Sequence, residues 1–333
     1  MEYFLAGLIL VGGILGFWSS RSGDRQNSAK QYVSLLDLPV AEEKISQAQL
    51  AEPLGGQKQA FISKLPGSPD PIVYSIRIPE KIGGQEAPEV SAQSVIILDM
   101  QSEAILFEKN CYQKFPIASL SKIFTALVAR EHLSEEPIEI SKKAVETEGN
   151  AGGLKTGEKF NMKELSDLML ISSSNDAAAQ IAFSVSGDFN NFSKLMDEKA
   201  ENYGLKNTHF ADPSGLNKEN VSTAFEFALF AKKTFEETPV WDVLKKPFAE
   251  IKSADGVIHR LENTNELISL EYVLAGKTGY TSDAKGALAI IANSGQNNRN
   301  IVAVILGSSD RFKDMEKLLE WARGNFKCEE QGL

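Results

Sequence analysis

The sequence predicts an α+β domain on three observations: a pair of β-prone runs near residue 95, a long stretch of helical periodicity, and three further strand-like runs before a closing amphipathic helix. Strands on both sides of a helical block place the first and last segments in one sheet. The 333 residues allow one large domain or two small ones, and 42% hydrophobic with 24% charged residues is ordinary globular composition.

The first element, "YFLAGLILVGGILGFW" (Tyr3–Trp18), is an uncharged apolar run a little short of the usual ~17–25 residues of a spanning helix. No Lys or Arg precedes it and "FWSSRSG" lacks a small-x-small cleavage site, so an uncleaved anchor over residues 1–20 is preferred to a cleaved signal segment. Residues 21–88 are rich in Gln, Ser, Glu, Lys, Pro and Gly and bury too little apolar area to offset their ordering entropy; a polar linker with a little local structure is expected. The ordered domain is expected over residues 89–327, with a short tail at 328–333.

Within the domain, "SVIILDMQSEAILFEKN" gives two β-prone runs around a polar turn, a hairpin signal. In "ASLSKIFTALVAREHL", Ile123, Leu127 and Val128 recur at helical spacing, with Ala118 and Ser119 at the start of the predicted helix. "NMKELSDLMLISSSNDAAAQIAFSVSG" reads as two helices interrupted at the serines, and "SKLMDEKAENYGL" and "TAFEFALFAKKTF" as further amphipathic helices. "EYVLAGKTGYT", "KGALAIIANSG" and "NIVAVILGSS" are strand-like, and "RFKDMEKLLEWARGNF" puts Phe312, Met315, Leu318, Leu319 and Ala322 on one helix face.

A net charge of −10 without a dense basic patch argues against nucleic acid as partner. Cys111 and Cys328 fit neither a zinc spacing nor a disulfide framework, and two isolated buried thiols are expected. No Gly-rich phosphate loop occurs, and neither a metal nor a cofactor is implied.

Chemistry enters with Ser119 and Lys122. A serine hydroxyl needs a base, and the three histidines serve poorly: His132 falls near the far end of the helix that begins at Ser119, His209 sits in a turn-like stretch, and His259 in a polar one. Residues three apart share a helix face, so Lys122 can replace histidine, and a helix start offers free N–H groups to an oxyanion. The same pattern describes a plain N-cap serine. Two further motifs shift the balance: Ser173-Ser174-Asn175 and Lys277-Thr278-Gly279 follow in order, and Ser-x-x-Lys, Ser-x-Asn and Lys-Thr-Gly form the motif set of penicillin-recognising serine enzymes.

With these motifs, and with "YGLKNTHFADPSGL" and "VSTAFEFALFAK", the stretch from about Ala87 to Phe326 resembles the serine D-alanyl-D-alanine carboxypeptidases, the low-molecular-mass penicillin-binding proteins. The resemblance implies a penicillin-binding protein/β-lactamase-like fold: a five-stranded antiparallel sheet flanked by helices, plus an all-helical lobe. It implies Ser119 as nucleophile, Lys122 as base with its pKa lowered by burial and by Lys277, Ser173 as proton relay, Asn175 on the acyl side and Lys277 steadying Ser173 and the substrate carboxylate. It further implies an oxyanion hole from the N–H groups of Ser119 and Tyr280, and contacts from Thr278, Gly279 and Arg311 to substrate.

The middle motif departs from the family's Ser-Gly-Asn, and Lys285 stands where a small residue is usual, which alters the rim of the cleft. The resemblance is to the short form, without a C-terminal β domain, which is similar to D-alanyl-D-alanine endopeptidases that cut cross-links. The expected partners are peptidoglycan stem peptides, β-lactams and, through residues 1–20, the membrane, for a monomer with its catalytic domain outside the cell. Arg21 and Arg25 after the apolar run oppose that topology, and the catalytic motifs outweigh them. An endopeptidase is the nearest alternative, then a β-lactamase, for which no Glu-x-x-Leu-Asn follows Asn175, then a non-catalytic wall- or penicillin-binding protein.

Overall fold

A computed structural model describes residues 58–63, 72–133, 136–149, 151–296 and 299–328. The apolar run Tyr3–Trp18 lies outside them. Five strands, β1 (Ser94–Asp99), β2 (Ile105–Lys109), β3 (Val273–Thr281), β4 (Lys285–Asn293) and β5 (Asn300–Ser308), form one sheet in the order β3-β4-β5-β1-β2. Every neighbouring pair is antiparallel. The expected hairpin and the joining of first and last segments in one sheet are both present, with β1 beside β5 in register Ile97↔Ala303.

Side chains alternate across a strand, and here both faces are buried. Val95, Ile97, Leu288, Ile290, Ala303 and Ile305 face helix α7 (Arg311–Asn325), whose Met315, Leu318 and Leu319 complete that layer. Their neighbours Ile96, Leu98, Ala289, Ile291, Val302 and Val304 face the other way, into a core shared with the remaining helices. A sheet covered on both sides reads as continuous apolar runs, as "SVIILD" and "NIVAVIL" do.

The helical lobe is built from α1 (Lys122–Glu131), α2 (Lys142–Val145), α3 (Met162–Ser172), α4 (Asn175–Ser186) and α5 (Phe189–Asn202), while α6 (Ala224–Glu237) lies between the lobe and the sheet. The start signals are local: Asn161 and Glu164 form a reciprocal capping box at α3, Ser174 caps α4, Asp188 caps α5 and Thr223 caps α6. All side chains of α1 from Lys122 to Ala129 are buried, and Phe124 stacks on Phe230 of α6 with ring centroids 3.9 Å apart. Burying one such ring is worth about 1.5–3 kcal/mol, so this contact holds the lobe to the sheet layer.

Three features differ from the sequence reading. Ser119 belongs to a 3-10 turn, Ala118–Ser121, and the α-helix begins at Lys122. A hairpin, Phe248–Lys252 with Ile258–Glu262, occupies a stretch to which the sequence reading assigned no element, because its alternation of buried and exposed residues is short. Residues assigned to the linker contact the domain: Glu80–Lys81 pairs with Phe326–Lys327, and Trp321 Nε1 donates to Gln85 O. Cys111 and Cys328 are both buried.

Asp314, in the first turn of α7, gathers the strand ends. Its carboxylate accepts from the N–H groups of Ser91 (3.1 Å) and Ala92 (2.9 Å) and from the hydroxyls of Ser91 and Ser308, each at 2.6 Å. Burial alone would raise its pKa, but the hydrogen bonds win and the net shift is downward. A carboxylate held below its unfolded value of about 3.9 adds stability above that pH and loses it as pH falls through the folded value. Asp314→Asn is therefore expected to cost about 1–3 kcal/mol in urea unfolding at pH 7, with the difference from the native chain shrinking as the medium is acidified below the ordinary carboxylate range.

Candidate active site

The three motifs meet where the edge strand β3 faces the helical lobe. Lys122, fully buried, places Nζ 2.8 Å from Ser119 Oγ, 2.6 Å from Asn175 Oδ1 and 2.7 Å from Ser214 O. Asn175 Nδ2 donates to Glu148 O at 2.8 Å, which fixes the amide with its oxygen toward the lysine. A backbone carbonyl and an amide oxygen only accept, so they take two amine protons. The third neighbour, Ser119 Oγ, is the one that can itself donate. A neutral amine has two N–H groups and one lone pair, and this set of partners matches it.

Burial brings the Lys122 amine down to about 7, against the carboxylates of Asp212 and Asp176, which pull it up. Lys277 is not what depresses it. Lys277 is itself fully buried and is lowered well below the ordinary lysine value, first by burial and then by Lys122 and Arg311. Its Nζ donates to Ser173 Oγ at 2.8 Å and to Thr278 O at 2.9 Å. Ser173 links the C-terminus of α3 to α4 in the left-handed region, φ 59°. That conformation is costly for a serine, and it ends one helix just before the next begins, leaving the side chain over Lys277.

The Ser119 turn is fenced by glycines. Ala118 has φ 47°, and at Gly215 (φ +86°) a Cβ would stand 1.9 Å from Ala118 O. At Gly279 a Cβ would come within 3.0 Å of both Ser119 N and the Ala118 Cβ. Backbone from the loop after α5 and from β3 thus presses on the turn from two sides, and only glycine permits it. Tyr280, next on β3, has an exposed ring, 61% accessible, with the Arg311 guanidinium 6.0 Å from its centroid. Arg311 starts α7, stacks on Phe312 and leaves a buried Nε without a partner. Gly286, opposite Tyr280 on β4, admits it, since a Cβ there would lie 3.0 Å from Arg311 Cβ. Thr278 is 4% accessible and shares a 2.6 Å hydrogen bond with Thr264. Contacts thus link the nine sequence-derived site residues, from Lys122 and Ser119 through β3 to Ser173 on one side and Arg311 on the other.

Sequence reasoning missed the supports. Asp212 accepts from the N–H groups of Ser214 (2.6 Å), Gly215 (2.8 Å) and Asn217 (2.6 Å), shaping the loop whose carbonyl meets Lys122. Buried Asn220 donates to Ser121 Oγ (3.1 Å), which in turn donates to Ala118 O (2.9 Å), so it braces the nucleophile turn. "ADPSGLN" carried an Asx-turn signal; Thr264 and Asn220 carried none. Among the described residues no cluster of three or more His, Cys, Asp or Glu side chains could hold a metal ion. His132, His209 and His259 hydrogen-bond elsewhere, to Val128 O, Asp197 and Gly152 O.

A neutral lysine against a serine hydroxyl, with a second lysine–serine pair and backbone N–H groups nearby, is the equipment of a serine acyl-transfer enzyme. A family model described as D-alanyl-D-alanine carboxypeptidase, Peptidase_S11, matches residues 82–310, and the chain belongs to that family. It is 32% identical over 260 residues to D-alanyl-D-alanine carboxypeptidase DacF of Bacillus subtilis, covering 74% of this chain and 66% of that one. It is 29% identical over 252 residues to a D-alanyl-D-alanine endopeptidase of Pseudomonas aeruginosa, covering 73% and 81%. The crystal structure of penicillin-binding protein D2 from Listeria monocytogenes in its cefotaxime-bound form superposes with a TM-score of 0.63 at 27% identity, covering 72% of this chain and 99% of that one. The fold is that of the penicillin-binding proteins.

The electrostatics can be read directly. The Lys122 side chain, followed by ¹³Cε chemical shift, is expected to titrate with a midpoint near 7, where a solvated lysine gives about 10.4. Because the unfolded chain then binds more protons between those two values, this group makes folding stability rise with pH across that window.

Proposed function

We propose that the protein is a serine-type D-Ala-D-Ala carboxypeptidase that removes the terminal D-alanine from peptidoglycan stem peptides and is acylated by β-lactams. The observation that carries this is the Lys122 amine, with two acceptors for its protons and its lone pair left to the Ser119 hydroxyl at 2.8 Å. The family membership and the cefotaxime-bound relative support it.

In this reading Lys122 accepts the Ser119 proton as Oγ bonds to the carbonyl carbon of the penultimate D-alanine. The oxyanion faces the N–H groups of Ser119 and Tyr280. As the C–N bond breaks, Ser173, held by Lys277, passes a proton to the departing amine, and D-alanine leaves. Asn175 holds the acyl amide. The substrate carboxylate meets Lys277, Thr278 and Arg311, and its charge favours protonated Lys277 on binding. Water then attacks the ester, and the Ser119 hydroxyl regains its proton.

A second reading, cleavage of D-alanyl-D-alanine cross-links, draws on the endopeptidase of Pseudomonas aeruginosa, of which the chain covers the larger share. For placement in the cell, Tyr3–Trp18 serves as a single-pass anchor, with the catalytic domain, as a monomer, on the wall side of the membrane.

Fluorescent penicillin is expected to label the native chain and not Ser119→Ala, and Lys122→Gln is expected to slow acylation by about 10²–10⁴. The acylation rate should rise with pH through about 7 as Lys122 loses its proton. Mass spectrometry of muropeptides after incubation checks the reaction: loss of one D-alanine is the expected product change, and disappearance of cross-linked dimers instead would select the endopeptidase.

A further inference from the structure

Thr278 has more hydrogen-bonding capacity than the protein uses. A hydroxyl carries one proton to donate and two lone pairs. Thr278 Oγ1 lies 2.6 Å from Thr264 Oγ1, and among the described residues neither hydroxyl has a further hydrogen-bond partner. Thr278 is nearly buried, and polar groups taken out of water to that extent are ordinarily satisfied. One bond of this hydroxyl goes to Thr264, and the other is left for whatever binds beside it.

Thr264 is held in place from three sides. Its N–H donates to Ile171 O at 3.3 Å, in the last turn of α3, two residues before Ser173. The preceding Asn263 donates through Nδ2 to Leu244 O (3.2 Å) and Lys246 O (2.9 Å). The following Asn265 is fully buried against β3, so closely that a Cβ on Gly276 would stand 2.5 Å from its Nδ2. The loop between the Ile258–Glu262 strand and the Glu266–Ser269 turn is therefore fixed on both flanks of Thr264, and a β-branched side chain adds little freedom of its own.

In the pair as it stands, either hydroxyl can be the donor. A carboxylate only accepts. If Thr278 spends its proton on Thr264, it turns lone pairs toward an incoming carboxylate and repels it. Only the order Thr264 to Thr278 to carboxylate lets both bonds exist, and bonds that donate in series strengthen one another.

We propose that Thr264 is a positioning residue for carboxylate recognition: its hydroxyl donates to Thr278 Oγ1 and so directs the single Thr278 proton at the C-terminal carboxylate of the substrate. Thr264 acts through Thr278 and touches no reacting atom. The inference rests on the carboxypeptidase reading above, in which Thr278 meets that carboxylate.

The test compares benzylpenicillin with its methyl ester, which keeps the ring and masks the carboxylate, by the rate at which each blocks labelling with fluorescent penicillin. The native chain is expected to react faster with the acid. Thr264→Val, similar in shape but without the hydroxyl, should slow the acid by about two- to tenfold, the worth of one neutral hydrogen bond, and narrow the acid-to-ester ratio by the same factor. Thr264→Ser, which keeps the hydroxyl, should hold the native ratio. A ratio unchanged in Thr264→Val, including equal slowing of acid and ester, overturns the assignment, as does a serine variant that behaves like the valine one. If urea unfolding shows that the valine variant does not fold, Thr264→Ala carries the same comparison with the same readings. A native chain that fluorescent penicillin does not label, or a Ser119→Ala variant that it labels equally well, overturns instead the acyl-transfer reading beneath the proposal.

Discussion

The contact on which this site depends is the one between the Lys122 amine and its three oxygen neighbours. A charged ammonium with no water around it is expensive, and complete burial, more than any neighbouring charge, brings this one down to about 7. Asn175 Oδ1 and the Ser214 carbonyl then decide where the remaining protons point. Their positions follow from α4 beginning at Asn175 and from a loop folded around Asp212. The lobe has to close over this lysine for its amine to come down so far.

That requirement explains why uncommon backbone clusters here. Ala118 and Ser173 both take positive φ, conformations that cost of order 1–3 kcal/mol and persist because the surroundings impose them. At Ser173 the imposed turn lets two helices meet end to end and delivers a hydroxyl to Lys277. At Ala118 it brings the Ser119 amide nitrogen close against Gly279 of β3. The caps of α3 and α4, the Asn220–Ser121 brace and the buried sheet faces hold these turns in place.

Much of this was legible in the residues. Runs such as "SVIILD" and "NIVAVIL" announce strands buried on both faces, and the break at "SSSN" announces two helices, because such signals are local. The motif serines and lysines were found in order, and the fold brings them together. The turn type at Ser119 was not legible, since 3-10 and α starts share composition. Thr264 and Asn220 act through partners distant in sequence, so no spacing rule reaches them, whereas Asp212 shapes its own loop through the nearby Ser214, Gly215 and Asn217. The hairpin Phe248–Glu262 escaped because two five-residue strands with half their residues exposed resemble loop.

The pairing of Ala118 with Gly279 has a wider meaning. The alanine methyl occupies the space that the missing side chain of Gly279 leaves open, like a key in a notch cut into the edge strand. The two positions belong to different layers of the fold, yet they are tied: a larger residue at 118 finds no room on the strand, and a side chain at 279 would meet not only the methyl but also the backbone of Ser119 and Ile117. Shrinking residue 118 would leave those backbone contacts in place, so descendants of this sequence are held to the glycine, and the alignment of the two layers is inherited through a side chain that is absent.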